Sequence, residues 1–222
     1  NELQADCSSL ARVKPPLRIG IPPMLSTVFF PELLIAFQEE YPEVPVILEE
    51  YGSVRACNLV HDDTLDLALV NMEQYNIDKF NNILLANDQI VFCVNDSHRL
   101  AKKEVVTTSE MAKEWLIFFN GDSVQNQLLK QRFELEGYTP NIIMRGSQIY
   151  TTLQFLKMNK YGCFLYSSMT DKFSNIAGIP LNPPIQVTIG MIWKKGKYIR
   201  NDMQTFLNFT KKYYTEHPLT GN

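Results

Sequence analysis

The chain has 222 residues, 45% hydrophobic and 20% charged, with a net charge of −3 at pH 7, the balance of an ordinary globular protein. No run nears the ~18 apolar residues of a membrane span, no basic-plus-apolar secretory leader opens it, and a slightly acidic chain is a poor nucleic-acid surface. Its length suits two units of about 100 residues each rather than one minimal core.

In chain order, LRIGI (17–21) reads as an apolar strand. Apolar residues at Phe30, Leu33, Leu34, Phe37 and Tyr41 mark one face of a helix over 26–41, with Pro31 tolerated in its first turns and Pro42 as its stop. VPVILEEYG (44–52) is a second strand, Ser53 an expected N-cap for a short helix to about Asp62, and TLDLALVN (64–71) a third strand. Strand and helix alternating with short connections signals parallel βαβ units. The segment 82–95 is a strand long enough to leave this first unit, and Thr107 with Glu110 forms a capping box before a short helix and the strand 115–119. Asp122 or Ser123 caps a helix ending at Glu136, with Gly137 just past its end. A strand at 140–145, a helix at 148–158 and a strand at 161–166 complete a second βαβ series. The long strand 185–193 leads back, and an amphipathic helix over 199–214 closes the pattern. The order is unit one, unit two, then return, which leaves a cleft between the two.

Four strand-to-helix junctions fall at the carboxyl ends of strands, where open parallel sheets bind ligands: 22–27, 52–54, 120–123 and 146–149. Each brings backbone N–H groups and the positive end of a helix dipole to the cleft mouth. Their side chains are small and hydroxylic or amidic (Ser26, Ser53, Asn120, Ser123, Ser147, Gln148), a set suited to a small carboxylate held by neutral donors. The plain alternative is that each Ser or Asn is only a helix cap. Pro22 and Pro23 remove two N–H donors and stiffen one wall of the first junction.

Catalytic patterns are absent. His61, His98 and His217 lie in no HExxH or GxSxG context, and no GxGxxG or Walker loop appears. Asp62-Asp63 and Glu49-Glu50 read as solvated faces rather than an acid–base couple, and the basic WKKGKYIR stretch (193–200) as a solvated turn. Cys7, Cys57, Cys93 and Cys163 sit far apart without a CxxC pair, so neither zinc nor a disulfide framework is signalled. Reduced thiols point to the cytoplasm, and no cofactor, metal or membrane partner is expected. That the chain opens on Asn1 suggests that an N-terminal portion precedes it.

The segments LRIGIPPMLSTVFFPELLIAFQEEYPEVPVILEEYGS, LDLALV, DQIVFCVNDSHRLAKK and GCFLYSS, in this order and spacing, resemble the effector-binding domain of LysR-type transcriptional regulators, from about Leu17 to Tyr214. The resemblance implies an α/β, periplasmic-binding-protein-like fold of two Rossmann-like subdomains joined by two crossing strands. Residues 1–16 would be a linker tail, 17–90 with 190–222 the first subdomain, and 91–189 the second. It also implies a small-molecule effector in the cleft, an N-terminal helix-turn-helix through which alone DNA is met, and pairing of the domains as a homodimer, with a tetramer open for the full-length protein.

The family's Ser or Thr after the first strand falls near Met24, with Ser26 two residues on; its Gly-Ser after the second strand matches Gly52-Ser53. The loop opening the helix of the second unit matches Asn120-Gly121-Asp122, and Asp63 stands in a glycine place whose left-handed backbone Asp tolerates. The effector-binding residues expected on this basis are Pro23, Met24, Leu25, Ser26, Ser53, Val54, Asn120, Gly121, Ser147, Gln148 and Phe164. Ser53→Ala is expected to weaken binding while sparing the fold, and Val28 and Ile35 to supply apolar area for the dimer. Two other readings remain open: an exported solute-binding protein, and an enzyme on the same fold.

Overall fold

Three short strands, β1 (Leu17–Ile21), β2 (Val46–Glu50) and β3 (Leu67–Asn71), run parallel with β1 in the centre. A second parallel set is formed by β6 (Trp115–Phe119), β7 (Ile142–Gly146) and β8 (Tyr161–Tyr166), with β6 in the centre. The computed structural model describes residues 15–73 and 76–218. Cys7 and nearly all of the expected linker tail therefore lie outside the described residues.

The two sets are joined by β4 (Phe80–Asn95) and β9 (Ile176–Lys194), an antiparallel pair running from Phe80 opposite Lys194 to Asn95 opposite Ile176. One end of this ribbon pairs β9 with β3, the other pairs β4 with β8, both antiparallel. The order across the sheet is β2-β1-β3-β9-β4-β8-β6-β7, with the two-residue β5 (Val106–Thr107) added to β9. The ladder is irregular between Ile90 and Val91, where it passes from one set to the other.

Helices fill the connections: α1 (Pro23–Val28), α2 (Pro31–Glu40), α3 (Ser53–His61), α4 (Thr108–Met111), α5 (Val124–Leu135), α6 (Ile149–Leu156), α7 (Ser167–Thr170) and α8 (Asn201–Glu216). The single helix expected over 26–41 is two. Pro31 lacks the N–H that would bond back one turn, so the chain breaks at Phe29-Phe30 and Pro31 starts α2 at its first position. Val28 is consequently 6% exposed and part of the core, not available to an interface, whereas Ile35 on α2 stays 59% exposed.

Other expectations hold more closely. Thr107 and Glu110 make the capping box of α4. Gly137 follows α5 at φ +73, a left-handed turn that suits glycine. Asp63 adopts φ 60. The basic stretch after β9 is held by acids: Lys194 pairs with Asp63, and Lys197 and Arg200 lie 3.1 and 3.7 Å from Asp66.

One apolar cluster runs from the first strands to the second set, and a smaller one gathers Ala56, Cys57 and Val60 of α3 with Ala68, Val70, Phe80 and Ile192. Helix α8 returns to pack on α2 through aromatic rings, with Phe37 edge-on to Phe206 at 4.8 Å and to Phe209 at 5.3 Å. The Tyr214 hydroxyl donates to the Phe29 carbonyl at the break between α1 and α2. Phe164 packs at 5.4 Å from both Phe92 and Phe118, tying the ribbon to the second set.

Candidate functional site

The carboxyl ends of β1, β2, β6, β7 and β8 converge on one cavity of about 260 Å³. All four junctions singled out in the sequence contribute to its lining: Pro22, Pro23 and Met24; Gly52 and Ser53; Asn120, Asp122 and Ser123; and Ser147. Glu50, Tyr51, Arg55, Phe119, Val124, Gln125 and Tyr166 complete it.

Of the eleven residues expected to touch an effector, Pro23, Met24, Ser53, Asn120 and Ser147 line this cavity. Gln148 lines a wider, more open hollow beside it that shares Pro23, Glu50 and Ser147. Ser26 does not reach the lining, because its hydroxyl is engaged by the Glu50 carboxylate at 2.5 Å and the Pro23 carbonyl at 2.9 Å. Val54 and Gly121 stand beside lining residues, and the Val54 N–H meets the Asp122 carbonyl at 3.4 Å. Leu25 and Phe164, 0% and 1% exposed, belong to the core instead. Strand and helix periodicity turns their side chains away from the cleft.

Three features of the lining follow from local chemistry. At the first junction Pro22 is the N-cap of α1 and Pro23 its first residue, so the helix opens without two of its usual donors. The wall there is apolar, completed by Met24, which is 5% exposed.

At the second junction Gly52, not Ser53, is the N-cap of α3. The Asp122 carboxylate reaches across from the other strand set and accepts the Gly52 N–H at 3.0 Å. A Cβ on Gly52 would come within 2.4 Å of Asp122 Cγ and 2.5 Å of its carbonyl oxygen, so only glycine permits this approach. The helix start thus already accepts a carboxylate, as its dipole and free N–H groups favour.

Beneath these lies a buried polar floor. Ser53 is 3% exposed and its Oγ accepts the Asn71 N–H at 3.1 Å, which leaves the hydroxyl proton free to donate. The Asn71 side-chain amide donates to Tyr166 Oη at 3.4 Å, and burial raises the Tyr166 pKa to about 12, keeping it a neutral phenol. Gln125 is 1% exposed, and among the described residues neither end of its amide has a partner.

Arg55 lies at the rim with its guanidinium over the Tyr51 ring at 4.7 Å. Sequence reasoning passed over it, yet a signal exists: a cation in the first turn of a helix opposes the dipole and calls for another reason to be there. Asp122, Gln125 and Tyr166 carry no such mark, since their place in the cavity depends on the second strand set folding against the first.

A family model for the LysR substrate binding domain matches residues 11–215. The chain is 30% identical over 200 residues to the uncharacterized HTH-type transcriptional regulator YwbI of Bacillus subtilis, covering 89% of this chain and 66% of that protein. It thus spans about two thirds of the length of this curated relative. Among solved structures it superposes on the Synechocystis CcmR regulatory domain in complex with 2-PG with a TM-score of 0.81 at 18% identity, covering 90% of this chain and 97% of that one. The effector binding domain of QuiR in complex with shikimate gives 0.76 at 18% identity, covering 91% and 98%. These two likenesses bear on the fold, which is periplasmic-binding-protein-like.

Proposed function

The chain belongs to the LysR substrate binding domain family, and from that premise we propose that it senses a small acidic effector in its cleft and so governs DNA binding by a helix-turn-helix outside this chain. We take 17–90 with 190–222 as one subdomain and 91–189 as the other, with the irregularity between Ile90 and Val91 as their joint. The protein acts in the cytoplasm, where its DNA target lies; among the described residues no helix is long and apolar enough to cross a membrane. Family membership speaks for a sensor over the solute-binding and enzyme readings.

The observation that carries the acidic effector is the Asp122 carboxylate on the Gly52 N–H. It is a tethered stand-in for the group an effector would bring, and Arg55 at the rim supplies a cation to receive it. The cavity volume lies near the small end of ligand pockets, about 300–1,000 Å³, which suits a metabolite. That two neighbours are held with shikimate and 2-PG is in keeping with a small ligand.

Thermal denaturation with a panel of small carboxylates and their uncharged amides tests this. A ligand at a hundredfold excess over its Kd stabilises by about 2.7 kcal/mol. Carboxylates are expected to raise Tm where the matching amides do not, and Asp122→Asn, which removes the competing charge, to bind the same carboxylates more tightly. Stabilisation by the amides alone would overturn the acidic effector; stabilisation by neither would overturn the sensing cleft.

We propose further that the chain forms a homodimer. Strand β2 is the edge of the sheet, with Ile47 46% and Leu48 36% exposed, and Ile35 stands exposed on the adjoining helix α2. An unpaired edge flanked by apolar side chains invites a partner.

A further inference from the structure

The acidic group of the effector accounts for the helix start and for Arg55, but not for Gln125. This residue is the second of α5, is 1% exposed and lines the cavity, and both ends of its amide go without a partner among the described residues. A buried carboxamide with neither bond made costs stability that a leucine in its place would not. Among the side chains with a buried polar atom left without a partner in the described residues (Thr108, Gln125, Asn126, Trp193 and Thr210), Gln125 is the one that lines this cavity.

The floor shows what that something must be. Ser53 and Tyr166 each accept a hydrogen bond from Asn71 and each retain a hydroxyl proton to give. A carboxylate could receive those protons and the Gln125 amide N–H, but its lone pairs would repel the Gln125 amide oxygen. A hydroxyl or a carboxamide both donates and accepts, and so satisfies both ends of Gln125 at once.

We propose that Gln125 is a specificity-determining residue that selects effectors carrying an uncharged hydroxyl or carboxamide beside their acidic group. This rests on the acidic-effector reading above. It narrows the ligand from small carboxylates in general to hydroxylated or amidated ones, because a site with a buried polar group rejects an analogue that leaves it unpaired.

Calorimetric titration of the wild type and of Gln125→Leu with benzoate, 3-hydroxybenzoate and 3-carbamoylbenzoate tests the proposal, alongside the ligand-free melting temperature of each protein. In the wild type the two substituted acids are expected to bind about tenfold more tightly than benzoate, the discrimination of one net hydrogen bond. Gln125→Leu should erase that difference and melt, without ligand, no lower than the wild type. Equal binding of all three acids to the wild type, or a preference that survives in Gln125→Leu, would overturn the proposal and leave the acidic effector standing. A lowered melting temperature of ligand-free Gln125→Leu would also overturn it, since the amide would then be a structural group. Failure of all three acids to bind the wild type would contradict the acidic-effector reading together with the proposal.

Discussion

Ser53 shows how one hydroxyl can be read correctly in kind and incompletely in role. A small polar residue after Gly52 marks a helix start in the sequence, but its partner, the Asn71 N–H, lies 18 residues on and is brought in only by the packing of β3. Ser53→Ala would leave that buried N–H without an acceptor, at a cost of about 1–3 kcal/mol. We therefore expect a lower urea midpoint for Ser53→Ala as well as weaker ligand binding, in place of the loss of binding alone expected from sequence; an unchanged midpoint would mean that Asn71 finds another acceptor. Asn120 is exposed and its side chain makes no hydrogen bond to a described residue, so Asn120→Ala serves as the control that spares stability. Gln125 and Tyr166, which sequence reasoning missed, and Asp122, read there only as a cap and loop residue, are ordinary in their local context. Their meaning comes from being opposite Gly52, Ser53 and Asn71 in space.

Elements were more legible than sites, because their signals are local. The period-two and period-3.6 patterns located most strands and helices to within a few residues, although β9 begins at Ile176 where the sequence placed its start at 185, and Thr107 with Glu110 announced α4. The error at 26–41 has a local cause as well: the apolar spacing runs through Phe29-Phe30 without interruption, while the missing N–H of Pro31 decides against one continuous helix. The α4 cap also sets a pH dependence. Hydrogen bonds from Lys103, then from the Thr107 backbone N–H, lower the Glu110 pKa to about 2, against ~4.3 for a free glutamate. A group whose folded pKa is depressed stabilises above the unfolded value, and that contribution fades as pH falls from ~4.3 toward 2. Glu110 is largely solvent-screened, so its share is held below ~1 kcal/mol. Urea denaturation of Glu110→Gln should thus show a small deficit against the wild type at neutral pH that closes under acid. A deficit independent of pH would mean that the cap works by geometry and not by charge.

At the scale of the whole molecule, alternating βαβ signals with two long strands between them sufficed to anticipate two parallel sets joined by a ribbon, and the β4–β9 ladder is that ribbon. Which surfaces meet a second copy depends on side-chain exposure, which the helical pattern alone misassigned at Val28. The pair Ile35→Glu and Ile47→Glu, both exposed in the single chain, should leave the fold intact and turn a dimer into a monomer in sedimentation velocity; a wild type that sediments as a monomer at high micromolar concentration would refute the pairing of this chain. The cleft, however, is where the account stands or falls. The most direct measurement is a titration of the nitrogen-15-labelled chain with the tightest-binding carboxylate of the panel, followed by amide NMR. The largest shifts are predicted at Gly52 and Val54, whose N–H groups Asp122 now holds, with smaller ones from Asn120 to Gln125. Shifts that leave Gly52 and Val54 unmoved while other amides respond would contradict it.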